Sequence, residues 1–150
     1  MALLNQKDRD ALTEMGKSLT QDVGVTLYTQ RTSPLVVPGV IPCETCEAAE
    51  QLVNELGELI PKVKPNVLDL VESGEQAAKA GVDRVPTFVM GGAAGGRVRF
   101  LGFPGGYEAA SFVQSVFEAG GATEELPQEV HDQLAAIAKP VELKVFVTPT

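Results

Sequence analysis

Cysteine, histidine, positive charge and long apolar runs are what this chain has least of. Two cysteines and one histidine occur in 150 residues, too few for the disulfide framework that staples small secreted domains. A structural zinc centre asks for about four ligands. Cys43, Cys46 and the distant His131 could supply one only if two chains shared it, so no metal is expected. No stretch approaches the ~20 apolar residues of a membrane span. The opening MALLNQKDRD has no apolar core of signal-peptide length and meets charge at Lys7, so a cytoplasmic protein without a membrane partner is expected. Lys and Arg number 12 against 20 Asp and Glu, a net charge of −8. That balance argues against nucleic acid, whose binding depends on clustered Lys and Arg.

What is present is an ordinary globular composition, 44% hydrophobic and 21% charged, long enough for one domain with a substantial core. Asn5 and Asp8 form a capping-box-like start for a helix over 5–19, with Leu12, Met15 and Leu19 at helical spacing. VGVTLYT (23–29) reads as a strand covered on both faces. QRTSPLVVPGVIP (30–42), with three prolines, reads as an irregular loop. Ala49, Leu52, Val53, Leu56, Leu59 and Ile60 mark one face of a helix over 43–60, its acids forming the solvated face.

PNVLDLV (65–71) reads as a second buried strand, and Ser73 with Gln76 as the capping pair of a short helix stopped by Gly81. TFVM (87–90) and RVRFLGF (97–103) make a hairpin across the glycine-rich GGAAGG. That loop lacks the Lys-Ser/Thr of a phosphate loop and does not precede a helix, so nucleotide binding is not expected. Ala109, Phe112, Val113, Val116 and Phe117 give a helix ending at Gly120. The order α-β-α-β-α-β-β-α implies a four-stranded mixed α/β sheet, first two strands parallel, with helices on both faces. Val130, Leu134 and Ile137 then mark a further helix, and VELKVFVT (141–148) a further strand. This pair repeats the pattern of the opening helix and strand. Unpaired, such a strand is an edge hazard, so it is expected to join an edge within the chain or in a second copy.

The two cysteines fall together, in IPCETCEAAEQ (41–51). A staple closing so short a loop constrains little, which leaves reactivity, metal, or two apolar cysteines that share a helix by accident. At a helix start, Cys43 lies by unpaired N–H groups and the positive end of the macrodipole, which favours its thiolate. Cys46 lies a turn further in, less exposed, placed to resolve a mixed disulfide. Glu44 and Glu47 oppose the helix end, with no Lys or Arg before Lys62. A moderately to strongly reducing couple is therefore expected. Titration against glutathione checks this, and an equilibrium lying far toward the reduced form would contradict it. Downstream, RVPTF (84–88) sets Pro86 at a strand start. Such a proline can simply open a strand; if cis, it also exposes backbone groups for an extended peptide.

CETC at a helix start, VPTF before a hairpin and this element order resemble the thioredoxin/glutaredoxin superfamily. RFLGFPGGYEAASFV and KVFVTPT narrow the resemblance to the protein disulfide oxidoreductases, glutaredoxin-like proteins with tandem thioredoxin folds. The N-terminal region of alkyl hydroperoxide reductase flavoproteins is similar in the same stretch. The resemblance covers nearly the whole chain. It implies a thioredoxin-like unit over 1–121, and a helix and strand over 122–150 that begin a second, truncated one.

By the same resemblance, Cys43 is the nucleophile, Cys46 the resolving cysteine, and Pro86, preceded by Val85 and followed by Thr87, the cis-proline beside which substrate docks. It implies thiol–disulfide exchange with protein substrates and no bound cofactor. The alternatives are an electron relay between a thioredoxin-reductase-like flavoprotein and a peroxiredoxin, or a non-catalytic docking module. The chain departs from the family pattern in the residues 30–42 inserted between strand and cysteines, and in lacking a second C-x-x-C after its last strand.

Overall fold

The computed structural model describes residues 3–31, 41–92, 95, 97–122 and 126–146. Within them the chain runs α1 (Gln6–Gly16), β1 (Val23–Thr29), α2 (Cys46–Leu59), β2 (Val63–Asp69), α3 (Gly74–Ala80), β3 (Thr87–Met90), β4 (Val98–Leu101), α4 (Glu108–Ala119) and α5 (Gln128–Ala135). The strands form one sheet in the order β2-β1-β3-β4. β1 and β2 are parallel, and β3 is antiparallel to both β1 and β4. The α/β order and the mixed sheet are those expected from the residue patterns.

Strand alternation divides the interior in two. Val23, Val25 and Leu27 of β1 and Phe88 and Met90 of β3 point to one face, under Leu12 of α1, Leu52, Val53 and Leu56 of α2, and Phe112 and Val116 of α4. Tyr28 and Val89 point to the other, where Ala77 of α3 and Val82 cover them. β1 thus has buried side chains on both sides, which explains why it runs without strict alternation. Phe112 is the pivot of the larger core. Its ring meets Phe88 edge-on with centroids 4.8 Å apart, and Phe100 at 5.4 Å.

Local signals set most boundaries. The Asn5 side chain accepts the Asp8 N–H at 3.0 Å and caps α1. Gly81, at φ +66°, ends α3 in the left-handed region that glycine adopts freely. The last carbonyls of α3 are met by Arg99 of β4, whose guanidinium donates to Gly81 O at 2.7 Å.

Several expectations fail, each for a non-local reason. Ser73 stands at the cap of α3 but makes no side-chain capping bond. Instead its N–H donates to Asp69 O, as part of the turn that ends β2. β2 begins two residues earlier than its apolar run suggests, since Val63 pairs with Val23, while Val71 lies past the strand and exposed. Glu55 does not belong to the solvated face of α2. It is 9% exposed, pairs with Arg9 of α1 at 2.7 Å, and accepts the N–H groups of Leu3 and Leu4. Its charge is buried because it is paired and hydrogen-bonded.

The expected strand over 141–148 is not formed in its described part. Residues 141–146 pair with no strand among the described residues, and Val141, Leu143, Val145 and Phe146 are exposed; 147–148 lie outside the described residues. An alternating sequence favours a strand only where an edge offers partners for its backbone, and neither β2 nor β4 takes it up. α5 does form, with no buried residue. Most of the 30–42 loop and Ala93, Ala94 and Gly96 of the hairpin turn also lie outside the described residues.

Candidate functional site

The site is assembled at the end of β1. Thr29 O accepts the Leu70 N–H at 2.9 Å. Two residues on, the Arg31 N–H donates to Asp69 Oδ2 at 3.0 Å, while Asp69 Oδ1 accepts from Val71 N and Glu72 N. These bonds tie the end of β1 to the turn after β2. Between the two anchors lies Gln30, half-buried, whose Oε1 accepts the Cys43 N–H at 3.0 Å. That bond ties Cys43 to the end of β1, from which it is 13 residues removed along the chain.

Cys43 and Cys46 are joined by a disulfide, their Cα atoms 5.5 Å apart. Cys43 is partly exposed and Cys46 only 3% exposed, the gradation expected of an attacking and a resolving sulfur. One correction concerns the helix. α2 starts at Cys46, not Cys43, which lies in the preceding turn. The Cys43 N–H is held by Gln30, Glu44 and Thr45 form a turn, and the first helical bond is Ala49 N–H to Thr45 O at 2.9 Å. The disulfide still holds Cys43 Sγ at the helix N-terminus, because its partner is the first helical residue.

The register of β1 and β3 sets Tyr28 against Thr87, so Pro86 comes beside the end of β1. The Val85–Pro86 peptide is cis. Pro86 O accepts the Gly102 N–H at 2.8 Å, and the Thr87 hydroxyl donates to Arg84 O at 2.8 Å. Pro86 and Thr87 are buried and Val85 half-buried. Neither backbone polar group of Val85 has a partner among the described residues.

The electrostatics are acidic. Glu47 and Glu50 of α2 line a hollow of about 300 Å³ with Thr29, Gln30 and Arg31. Its one cation among the described residues, Arg31, is paired with Glu72 at 2.8 Å. Glu44 lies exposed in the turn between the cysteines. The Arg31 N–H holds the Asp69 carboxyl below its ordinary value, aided by the N–H groups of Glu72 and Val71 against the opposing effect of burial. The Arg84 side chain does the same for Asp83, just ahead of Val85. A carboxylate whose value is lowered on folding stabilises the fold above its unfolded value of 3.8, and that contribution is lost as pH falls through the lowered value. Wild type should therefore be more stable than Asp69→Asn at pH 7, and the difference should shrink as pH falls below 3.8. Thermal midpoints of the two proteins across that range check this; a gap independent of pH would contradict it.

Gln30, Arg31 and Asp69 are the site residues that sequence reasoning passed over. Asp69 had a readable signal, an Asp at a strand end whose side chain caps the following turn. Gln30 had none, because its bond closes over 13 residues. No group of three or more His, Cys, Asp or Glu side chains suited to a metal occurs among the described residues. No described helix is long and apolar enough to cross a membrane.

No family model matches the chain, and no curated protein matches it. Solved structures do. The alkylhydroperoxide reductase AhpF of Enterococcus faecalis superposes with a TM-score of 0.73 at 19% identity, over 89% of this chain and 60% of that one. The NTD N/C domain of the same reductase gives 0.73 at 20% identity, over 91% and 62%. A protein disulfide oxidoreductase of Aeropyrum pernix gives 0.70 at 22% identity, over 89% and 55%. The chain spans a little over half of the length of these structures. At such identities the likeness is one of fold, and with the strand order and the Cys-x-x-Cys disulfide it establishes that this chain has the thioredoxin-like fold.

Proposed function

We propose that the chain is a thiol–disulfide oxidoreductase acting on protein substrates through Cys43 and Cys46. The observation that carries this is the disulfide itself, one sulfur partly exposed and the other buried, at the start of α2 and beside Pro86. In the reduced protein the Cys43 thiolate attacks one sulfur of a substrate disulfide. A Cys43–substrate disulfide forms and the other substrate sulfur leaves as thiolate. Cys46, giving up its proton, then attacks Cys43 Sγ; the Cys43–Cys46 bond forms and the second substrate thiolate departs. Two electrons pass from the dithiol to the substrate, and the two protons of Cys43 and Cys46 end on its thiols. The N–H and C=O of Val85, without a partner among the described residues, suit an extended substrate backbone, while Glu44 and Glu47 set how readily Cys43 ionises. No cofactor enters these steps.

A dithiol of this kind needs a reductant and an oxidant. The likeness to an alkylhydroperoxide reductase supports a flavin-dependent reductase upstream and a peroxidase downstream as partners. The same alignments cover more of this chain than residues 1–121 make up. This supports reading 122–150 as the opening of a second thioredoxin-like unit, its apolar Leu134, Ile137 and Leu143 uncovered. The test of activity is reduction of insulin disulfides with dithiothreitol as electron source. Acceleration above dithiothreitol alone is expected; a rate equal to that of a Cys43→Ser chain makes the protein a docking module.

A further inference from the structure

The tether on Cys43 is a side chain of a particular kind. Gln30 is pinned on both flanks, through Thr29 O and Arg31 N, so its amide loses less conformational freedom in reaching Cys43 than a free surface glutamine would. Its orientation follows from chemistry, since the Cys43 N–H is a donor and only Oε1 can accept it. The Nε2 of the same amide has no partner among the described residues. Around it negative charge prevails. Glu47 and Glu50 share its hollow, Glu44 follows Cys43, and the Arg31 guanidinium is paired with Glu72.

The geometry points to Gln30 as a positioning residue for the Cys43 nucleophile: it orients the Cys43 peptide through an acceptor oxygen while keeping that position neutral within an acidic surround. Glutamate would make the same hydrogen bond and hold the same loop neck. It would also add a negative charge within about 3 Å of the Cys43 nitrogen, disfavouring the thiolate. Alanine would release the peptide and add no charge. The two substitutions therefore separate orientation from electrostatics. The inference rests on the proposed exchange chemistry for its rate consequences only.

The experiment uses the full chain. In a Cys46→Ser background, iodoacetamide alkylation of Cys43 is followed against pH, with thermal midpoints as the control for folding. Insulin reduction is followed in the otherwise wild-type chain at pH 7 and pH 9. Gln30→Glu is expected to keep the thermal midpoint, raise the Cys43 titration by about one pH unit and slow alkylation at pH 7 by as much as tenfold. Its insulin reduction should recover to wild type at pH 9. Gln30→Ala should leave the titration near wild type yet reduce kcat/KM several-fold at both pH values. A Gln30→Glu titration indistinguishable from wild type, or Gln30→Ala activity equal to wild type at both pH values, overturns the assignment. Alkylation needs no disulfide substrate, so a wild-type chain inert toward insulin with a shifted Gln30→Glu titration refutes the exchange function and leaves Gln30 in its place.

Discussion

Replacing Cys43 by serine is expected to abolish insulin reduction, leaving only the rate of dithiothreitol alone. A serine hydroxyl is not ionised at neutral pH, and the loss should match that seen for other covalent nucleophiles, on the order of 10³-fold or more. Cys46→Ser should behave differently. With the inner sulfur gone, Cys43 still attacks, but the mixed disulfide has no resolving thiol 5.5 Å away between Cα atoms. A covalent adduct with substrate should build up on non-reducing gels, and turnover should depend on added thiol. The distinction follows from burial, because Cys46 at 3% exposure cannot reach a protein substrate first. If Cys46→Ser were as inert as Cys43→Ser toward forming the adduct, or if Cys43→Ser formed it, the order of attack would be reversed or absent.

The second large effect is on stability. Phe112 is 1% exposed and makes edge-on contacts with both Phe88 and Phe100. It joins α4 to β3 and β4, the two strands that Pro86 and its partner Gly102 flank. Phe112→Ala removes a ring from a closed core and leaves a cavity, a change that costs about 3–5 kcal/mol. The lost edge-to-face pairs, worth about 0.5–1.5 kcal/mol each beyond their buried area, place it toward the upper end. Against a total near 5–15 kcal/mol for a domain of this size, a thermal midpoint lower by on the order of 10 °C is expected. Chemical denaturation should show the same loss, and a shift below about 1 kcal/mol would mean that the core closes over the gap. Phe112→Leu should recover part of the loss, because it restores apolar volume without the ring contacts.

Much of this was legible beforehand for a physical reason. Helical and strand periodicity are properties of neighbouring residues, so Leu52, Leu56 and Val53 announce α2, VGVTLYT announces a doubly covered strand, and Gly81 announces a stop. The pairing of strands followed from the connections, a helical crossover between β1 and β2 and a short turn between β3 and β4. The cysteine spacing with the later Val-Pro-Thr pointed to the site, and the relative exposure of the two sulfurs came out as anticipated. The start of α2 was misplaced by one turn: the first helical bond is Ala49 N–H to Thr45 O, and the Cys43 N–H is engaged instead by the distant Gln30 acceptor. Periodicity carries no trace of such a bond.

By itself, then, the amino-acid order determined the succession of helices and strands, the two-sided burial of β1, and the identity of the paired thiols. All of these arise from side chains within a few positions of one another. Tertiary structure alone decided that Gln30 would hold Cys43, that Glu55 would be buried against Arg9, and that Pro86 would stand beside the end of β1. It also left 141–146 without a partner strand. The three contacts join groups 13 residues apart, 46 apart, or further still along the chain, where the sheet decides which polar atoms face each other.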